Sequence, residues 1–261
     1  MIGIFDSGIG GLTTVKAIMK KLPGYDIVYF GDTARTPYGT KSCGTVINYS
    51  LENSKLLLEK GAKLIIMACN TASSVATEKV KENFDVPVFE VISPAVKRAL
   101  SESRKKQIGI IGTRGTIKSH VYEKMINEID PSAKVYSTPC PLLVPLVEEG
   151  WVNKPETAMI VKKYIHPLKV RQIDTLVLGC THYPVLKDII QRKAGKRVKL
   201  IDSAEAVTDE VTLFLKENPE FEKTLGKNGK TDFFVSDITD QFKITARDII
   251  KKRIELKLIE L

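Results

Sequence analysis

Leu64-Ile65-Ile66-Met67-Ala68-Cys69-Asn70-Thr71 and Leu176-Val177-Leu178-Gly179-Cys180-Thr181-His182 are two versions of one pattern. Each is an apolar run of strand length that ends on a cysteine and continues into polar residues. The two cysteines stand 111 positions apart. A second pair of segments repeats at nearly the same offset: Ile2-Gly3-Ile4-Phe5-Asp6-Ser7 against Ile108-Gly109-Ile110-Ile111-Gly112-Thr113, which sets Thr113 opposite Ser7. Continuous apolar runs of this length suit strands buried on both faces, as in parallel sheets. A duplicated strand–thiol–loop unit predicts two half-domains that each present one thiol to a shared cleft. Two thiols facing one carbon suit removal of a proton from one face and its return on the other.

Outward from these runs, β-rich stretches at 2–6, 26–31, 64–68, 88–91, 107–112, 134–137, 175–179, 198–201 and 232–236 alternate with helical spacing. The helical patterns cover 46–60, 73–83, 117–129, 156–169, 185–193 and 204–217. This alternation predicts an α/β protein of two pseudo-symmetric α/β domains with mostly parallel sheets. The active site is expected in the cleft between them, beyond the carboxyl ends of the strands. The repeat divides the chain into residues 1–92, completed by 207–261, and residues 93–206. Ser93-Pro94 reads as an N-cap with proline at the first helical position. Glu102 to Lys106 reads as an exposed connector, and Asp202-x-x-Glu205 as a capping box.

The 261 residues carry 40 lysines and arginines against 31 aspartates and glutamates, a net charge of +9. The bases are interleaved with acids, as in Glu78-Lys79-Val80-Lys81-Glu82, and the clusters Arg104-Lys105-Lys106 and Lys251-Lys252-Arg253 are short. With one tryptophan there is no base-stacking platform, so the charge reads as solvated surface and no nucleic-acid partner is expected. No apolar run approaches the roughly 18–20 residues of a membrane span, and the N-terminus lacks a signal-peptide pattern. The expectation is a cytoplasmic protein with no membrane partner. Four cysteines (Cys43, Cys69, Cys140, Cys180) are too few for a disulfide scaffold, and His120, His166 and His182 are scattered. Free thiols and no metal site follow.

Asp6-Ser7-Gly8-Ile9-Gly10-Gly11 follows the first strand and leads into a helical pattern from Leu12. Glycines at such a turn let backbone N–H groups approach an anion at a helix N-terminus. The stretch has no Gly-Lys-Ser/Thr and lacks the third glycine of a dinucleotide fingerprint, where Thr13 stands. Asp32 ends the second strand where a ribose-binding acid sits, so a nucleotide-dependent oxidoreductase using Gly8, Gly10 and Asp32 is an alternative. Asp6 as a mere helix cap is the plainer one. Cys69 and Cys180 each precede a helix, where the thiolate is stabilised and the pKa falls below about 8.5. Asn70, Thr71 and Thr181 offer amide and hydroxyl groups for carboxylates, Thr113 and Thr116 add hydroxyls, and His182 lies two residues beyond Cys180. The turn Thr36-Pro37-Tyr38-Gly39 reads equally as a ligand clamp or a chain reversal. Cys43 and Cys140 read as packing or surface, and the run Pro141 to Glu149 as a solvated helix end.

Taken in order, Asp-Ser-Gly-x-Gly-Gly-Leu (Asp6 to Leu12), Pro-Tyr-Gly (Pro37 to Gly39), Ala-Cys-Asn-Thr-Ala (Ala68 to Ala72), Pro-Leu-Val-Glu (Pro145 to Glu148) and Gly-Cys-Thr-His-Tyr-Pro (Gly179 to Pro184) resemble the glutamate racemases of the cofactor-independent aspartate/glutamate racemase superfamily. The resemblance spans positions 6 to 184 and extends to Val235-Ser236-Asp237. It implies reversible racemisation of glutamate with no cofactor, supplying D-glutamate for peptidoglycan. Under it Cys69 acts on the α-carbon of D-glutamate and Cys180 on that of L-glutamate. Asp6 assists Cys69, while His182 and Glu148 assist Cys180. Ser7, Pro37, Tyr38, Gly39, Asn70, Thr71, Thr113, Thr116 and Thr181 hold the amino acid. The partner is the small-molecule substrate, with a homodimer left open. Aspartate as substrate, and a non-catalytic amino-acid-binding protein on the same two-lobed frame, are the other readings.

Overall fold

A computed structural model of the chain describes residues 1–260. Its strands are β1 (Ile2–Asp6), β2 (Ile27–Gly31), β3 (Leu64–Met67), β4 (Val88–Glu90), β5 (Gln107–Gly112), β6 (Lys134–Pro139), β7 (Thr175–Gly179), β8 (Lys199–Asp202), β9 (Thr231–Val235) and β10 (Leu256–Leu258). The helices are α1 (Leu12–Lys21), α2 (Cys43–Glu59), α3 (Asn70–Asn83), α4 (Ile92–Glu102), α5 (Arg114–Lys118), α6 (Val121–Ile129), α7 (Leu143–Glu148), α8 (Pro155–Val170), α9 (Lys187–Ala194), α10 (Ser203–Glu217), α11 (Pro219–Glu222) and α12 (Asp240–Ile250). Two sheets result, in the orders β10-β9-β2-β1-β3-β4 and β6-β5-β7-β8, with parallel pairing throughout. The run β2-β1-β3-β4 has the same order as β6-β5-β7-β8, so the sequence repeat is a repeat of sheet topology. Cys69 and Cys180 follow the equivalent strands β3 and β7.

Both faces of each sheet are covered, as the uninterrupted apolar strands require. On one face of the first sheet, Ile2, Ile4, Leu64 and Ile66 pack with Leu12, Val15 and Ile18 of α1, Val207 and Val211 of α10 and Ala246 and Ile249 of α12. On the other, Phe5, Val28, Phe30, Ile65 and Met67 meet Val46 and Leu57 of α2 and Ala72, Ala76 and Val80 of α3. The second sheet repeats this, with Ile111, Leu176 and Leu178 against α7, α8 and α9, and Ile108, Ile110 and Val177 against α4 and α6. Each large apolar side chain buried this way contributes about 1.5–3 kcal/mol before chain entropy is counted. No helix among the described residues is long and apolar enough to cross a membrane.

Local readings are corrected at four places. Ser93 is not the N-cap of α4: the Glu90 carboxylate, at the end of β4, accepts the N–H groups of Ile92 (2.5 Å) and Ser93 (2.8 Å). Asp202 caps α10 through the Ala204 N–H, while Glu205 turns outward to Lys187, so the reciprocal half of the capping box is missing. The helix expected over 117–129 breaks between α5 and α6, where His120 takes a left-handed conformation (φ 54°) and Ser119 Oγ accepts from Val121 N–H. The segment after α12 returns as a further strand, β10, beside β9.

α4 and α10 pack on each other between the sheets, tied by Arg98–Asp209 (2.5 Å) and Lys97–Glu210 (3.2 Å) ion pairs. The sequence division at 92/93 and 206/207 therefore runs through this helix pair.

Candidate active site

The carboxyl ends of β1, β3, β5 and β7 converge on a cleft with about 300 Å³ of empty space, its open mouth included. Ser7, Thr36, Pro37, Tyr38, Gly39, Cys69, Asn70 and Thr71 line it from the first half, and Thr113, Val144, Cys180, Thr181 and His182 from the second. Both thiols are buried there, at 5% and 4% exposure.

Cys69 is the N-cap of α3, and its thiol donates to Ser7 Oγ at 3.5 Å. Burial first, and the Asp6 carboxylate second, push the thiol up to about 12. The Ala72 N–H at the helix N-terminus and Ser7 pull the other way and are outweighed. The lowered pKa expected from helix position is therefore corrected for Cys69: in a dry site, desolvation of the anion exceeds the helix effect. Asp6 is fully buried; its Oδ2 accepts from Gly8 N–H (3.0 Å) and Gly11 N–H (2.9 Å), and its Oδ1 from Thr181 Oγ1 (3.2 Å). It fastens the glycine turn, as the cap reading has it, and also reaches across the cleft. Burial raises its carboxyl pKa, partly offset by the charge of His182 and by these donors.

On the opposite side, Cys180 Sγ lies 3.8 Å from His182 Nδ1, and His182 Nε2 lies 3.1 Å from Glu148 Oε1. Burial opposes charge on this imidazole, but the hydrogen bonds to Cys180 and Glu148 prevail and hold its pKa well above the ordinary 6.5. As imidazolium it donates from both nitrogens, to the sulfur and to the carboxylate. The run 141–149 thus ends in a partner of His182, and the solvated-end reading is corrected. Closure around the pair is tight. A methyl on Gly10 would lie 2.5 Å from His182 Nδ1 and closer still to Thr181 Oγ1, while one on Gly39 would lie 2.7 Å from Thr113 Cβ.

Thr71, Thr113 and Thr116 form a triangle of hydroxyls at 2.9–3.3 Å that joins α3 to α5 across the cleft. Asp6, Glu148 and Thr116 do not line the cavity; each touches a residue that does. The Tyr38 hydroxyl points away, bonded to Asp32 and accepting from Asn53 Nδ2. Asp32 also holds Arg35 and Ser236, so it is spent inside the first half and offers nothing to a ribose. Cys43 is exposed and Cys140 buried, both outside the cleft. Thr36, named in the sequence only as part of the 36–39 turn, and Val144, inside the 141–149 run, also line the cavity. The Thr36 hydroxyl is buried without a partner, and its position before Pro37 was the available signal. No cluster of His, Cys, Asp and Glu among the described residues has the makings of a metal site.

The Asp/Glu/Hydantoin racemase family pattern matches residues 14–211. The chain is 46% identical over 241 residues to the glutamate racemase of Geobacter metallireducens, covering 92% of this chain and 89% of that one. Its structure superposes with a TM-score of 0.93 on a glutamate racemase isoform from Bacillus anthracis, at 35% identity over 100% of this chain and 97% of that one. With the glutamate racemase of Francisella tularensis, solved in complex with D-glutamate, the TM-score is 0.91 at 38% identity, over 99% and 97% of the two chains.

Proposed function

Since the chain belongs to the Asp/Glu/Hydantoin racemase family and is an amino-acid racemase, an isomerase, we propose that it interconverts L- and D-glutamate without a cofactor, using Cys69 and Cys180 on opposite faces of the α-carbon. The observation that carries this reading is the pair of thiols ending equivalent strands and lining one cleft. In the L-to-D direction the Cys180 sulfur takes the α-proton, and the Cys69 thiol delivers its own proton to the other face. The reverse direction exchanges the roles. His182, whose pKa is held well above the ordinary value by its hydrogen bonds to Cys180 and Glu148, donates towards the Cys180 sulfur that receives the α-proton. Cys69, pushed up to about 12, keeps its proton for delivery.

The α-proton of an amino acid is a very weak acid, so the charge that develops as it leaves needs stabilisation. Preorganised donors in a water-poor cleft do this at no reorganisation cost. Ser7, Asn70, Thr71, Thr113 and Thr181 line the cleft and offer amide and hydroxyl donors to a carboxylate bonded to the reacting carbon, with Thr116 bonded to Thr71 from outside the lining. The product D-glutamate supplies peptidoglycan.

Either enantiomer of glutamate, incubated with the cofactor-free protein in deuterium oxide, is expected to racemise with deuterium at the α-carbon. Cys69→Ser and Cys180→Ser are each expected to slow racemisation by about 10²–10⁴-fold, the usual worth of a positioned acid or base. Racemisation at the wild-type rate in either variant would overturn the two-thiol mechanism. A faster reaction with aspartate than with glutamate would overturn the substrate.

A further inference from the structure

Asn70 follows Cys69 and lines the cleft, yet most of its amide is already engaged inside the protein. Its Oδ1 accepts from the Tyr122 hydroxyl at 2.7 Å, and its Nδ2 donates to Ser203 Oγ at 3.4 Å. Ser203 in turn donates to the main-chain carbonyl of Leu178 at 3.4 Å. All four residues are buried. Tyr122 belongs to α6, Ser203 opens α10 and Leu178 lies in β7, so Asn70 of the first half is held wholly by elements around the second sheet.

The polarity of this chain has one origin. A carbonyl oxygen only accepts, so the single hydroxyl hydrogen of Ser203 is committed to Leu178. Ser203 Oγ can then only accept from Asn70, which puts Nδ2 on that side and Oδ1 towards Tyr122. Burial, with the charges of Glu90 and Cys180, holds the phenol pKa of Tyr122 well above its usual range, so its O–H remains a donor. Nδ2 carries a second hydrogen with no protein partner, on a residue that lines the cavity.

We propose that Ser203 and Tyr122 are positioning residues that lock the Asn70 amide as a donor towards a carboxylate of the substrate, with the Leu178 carbonyl setting the direction. The inference rests on the glutamate reading above. It assigns to Asn70 the α-carboxylate, which is one bond from the carbon that Cys69 addresses. An amide free to turn would present Oδ1 to the ligand and accept a hydrogen bond as readily as donate one. The lock therefore makes the site select a carboxylate over a carboxamide at this position.

The test is the ratio of dissociation constants for glutamate and its α-monoamide, measured by equilibrium binding to wild type, Ser203→Ala, Tyr122→Phe and Ser203→Thr. Wild type is expected to prefer glutamate. In Ser203→Ala the preference is expected to fall by about tenfold, the worth of one hydrogen bond to a charged group. Ser203→Thr, which keeps the hydroxyl, is expected to restore it. Tyr122→Phe removes the other tether and is expected to lower the same ratio, which keeps the test alive if Ser203→Ala folds poorly. A purely structural role would weaken both ligands alike; an unchanged ratio in Ser203→Ala and Tyr122→Phe would overturn the lock. Because the ratio comes from binding, failure of the two-thiol mechanism, seen as racemisation surviving Cys69→Ser, is a separate result. A wild type that binds neither ligand would overturn both readings.

Discussion

The two thiols occupy equivalent positions in the fold but different electrostatic surroundings: Cys69 has a buried carboxylate nearby, whereas Cys180 has a cationic imidazole. Under the proposed two-thiol mechanism, conversion of D-glutamate needs Cys69 in its basic form, so kcat/KM in that direction is expected to climb as pH rises above neutrality. Asp6→Asn keeps an oxygen acceptor for the Gly8 and Gly11 N–H groups but removes the charge that helps raise the Cys69 pKa. The rising limb is then expected to move to lower pH; a limb that stays in place or moves up would contradict the electrostatic role of Asp6. His182 makes a stability prediction of the opposite kind. Its folded pKa lies above the unfolded 6.5, so its stabilisation is complete below 6.5 and lost as pH rises through the folded value. Wild type is expected to lose melting temperature over that rise, and Glu148→Gln to flatten the loss. These signs were not legible in the sequence: it marked Asp6, His182 and both cysteines, but how much water each keeps depends on closure of the halves. For Glu148, the composition of Pro141 to Glu149 reads only as a solvated end, and it is the resemblance through Pro145 to Glu148 that sets it beside His182, 34 residues further on.

At the scale of elements, the apolar strands and the glycine turn were the most legible features, because each carries a strong local signal. β1, β3, β5 and β7 match their apolar runs to within a residue, and those strands alone place the thiols. β10 escaped notice because it is three residues at a sheet edge, partly exposed and set among charges, with too little apolar content to register. The break at His120 escaped because helical spacing continues through it, while a local serine bond and a left-handed residue decide the geometry. The turn between β1 and α1 had its glycines read as room for an anion. In the folded protein Gly10 also lets that turn press against Thr181 and His182 of the other half. Gly10→Ala is therefore expected to displace the imidazole from Cys180 and to cost about 1–3 kcal/mol of stability, the usual range for overpacking. Its kcat is expected to fall well beyond what that loss explains at a temperature where the variant is fully folded. Full kcat in Gly10→Ala would mean that the turn and the imidazole are not coupled.

Over the whole molecule, the halves have separate sheets and cores but share one cleft, whose lining is divided between them. They meet through side chains already at the site: Thr181 on Asp6, Thr71 on Thr113 and Thr116, and Asn70 on Tyr122 and Ser203. A ligand held in that cleft touches both halves, so its binding energy should be shared by both sheets. Glutamate at about 100 times its dissociation constant is expected to stabilise the protein by about 2.7 kcal/mol, since it binds only the folded state. The distribution of that stabilisation is the sharper test, read by amide hydrogen exchange with and without glutamate. Protection is expected to rise together at the carboxyl ends of β3 and β7 and at the starts of α3 and α5, because opening either half releases the ligand. A site belonging to one half would protect only the strands of that sheet. Exchange slowed around Cys69 with no change around Cys180, or the reverse, would mean that the substrate is bound by one half alone, and a proton could not then pass from one face of its carbon to the other.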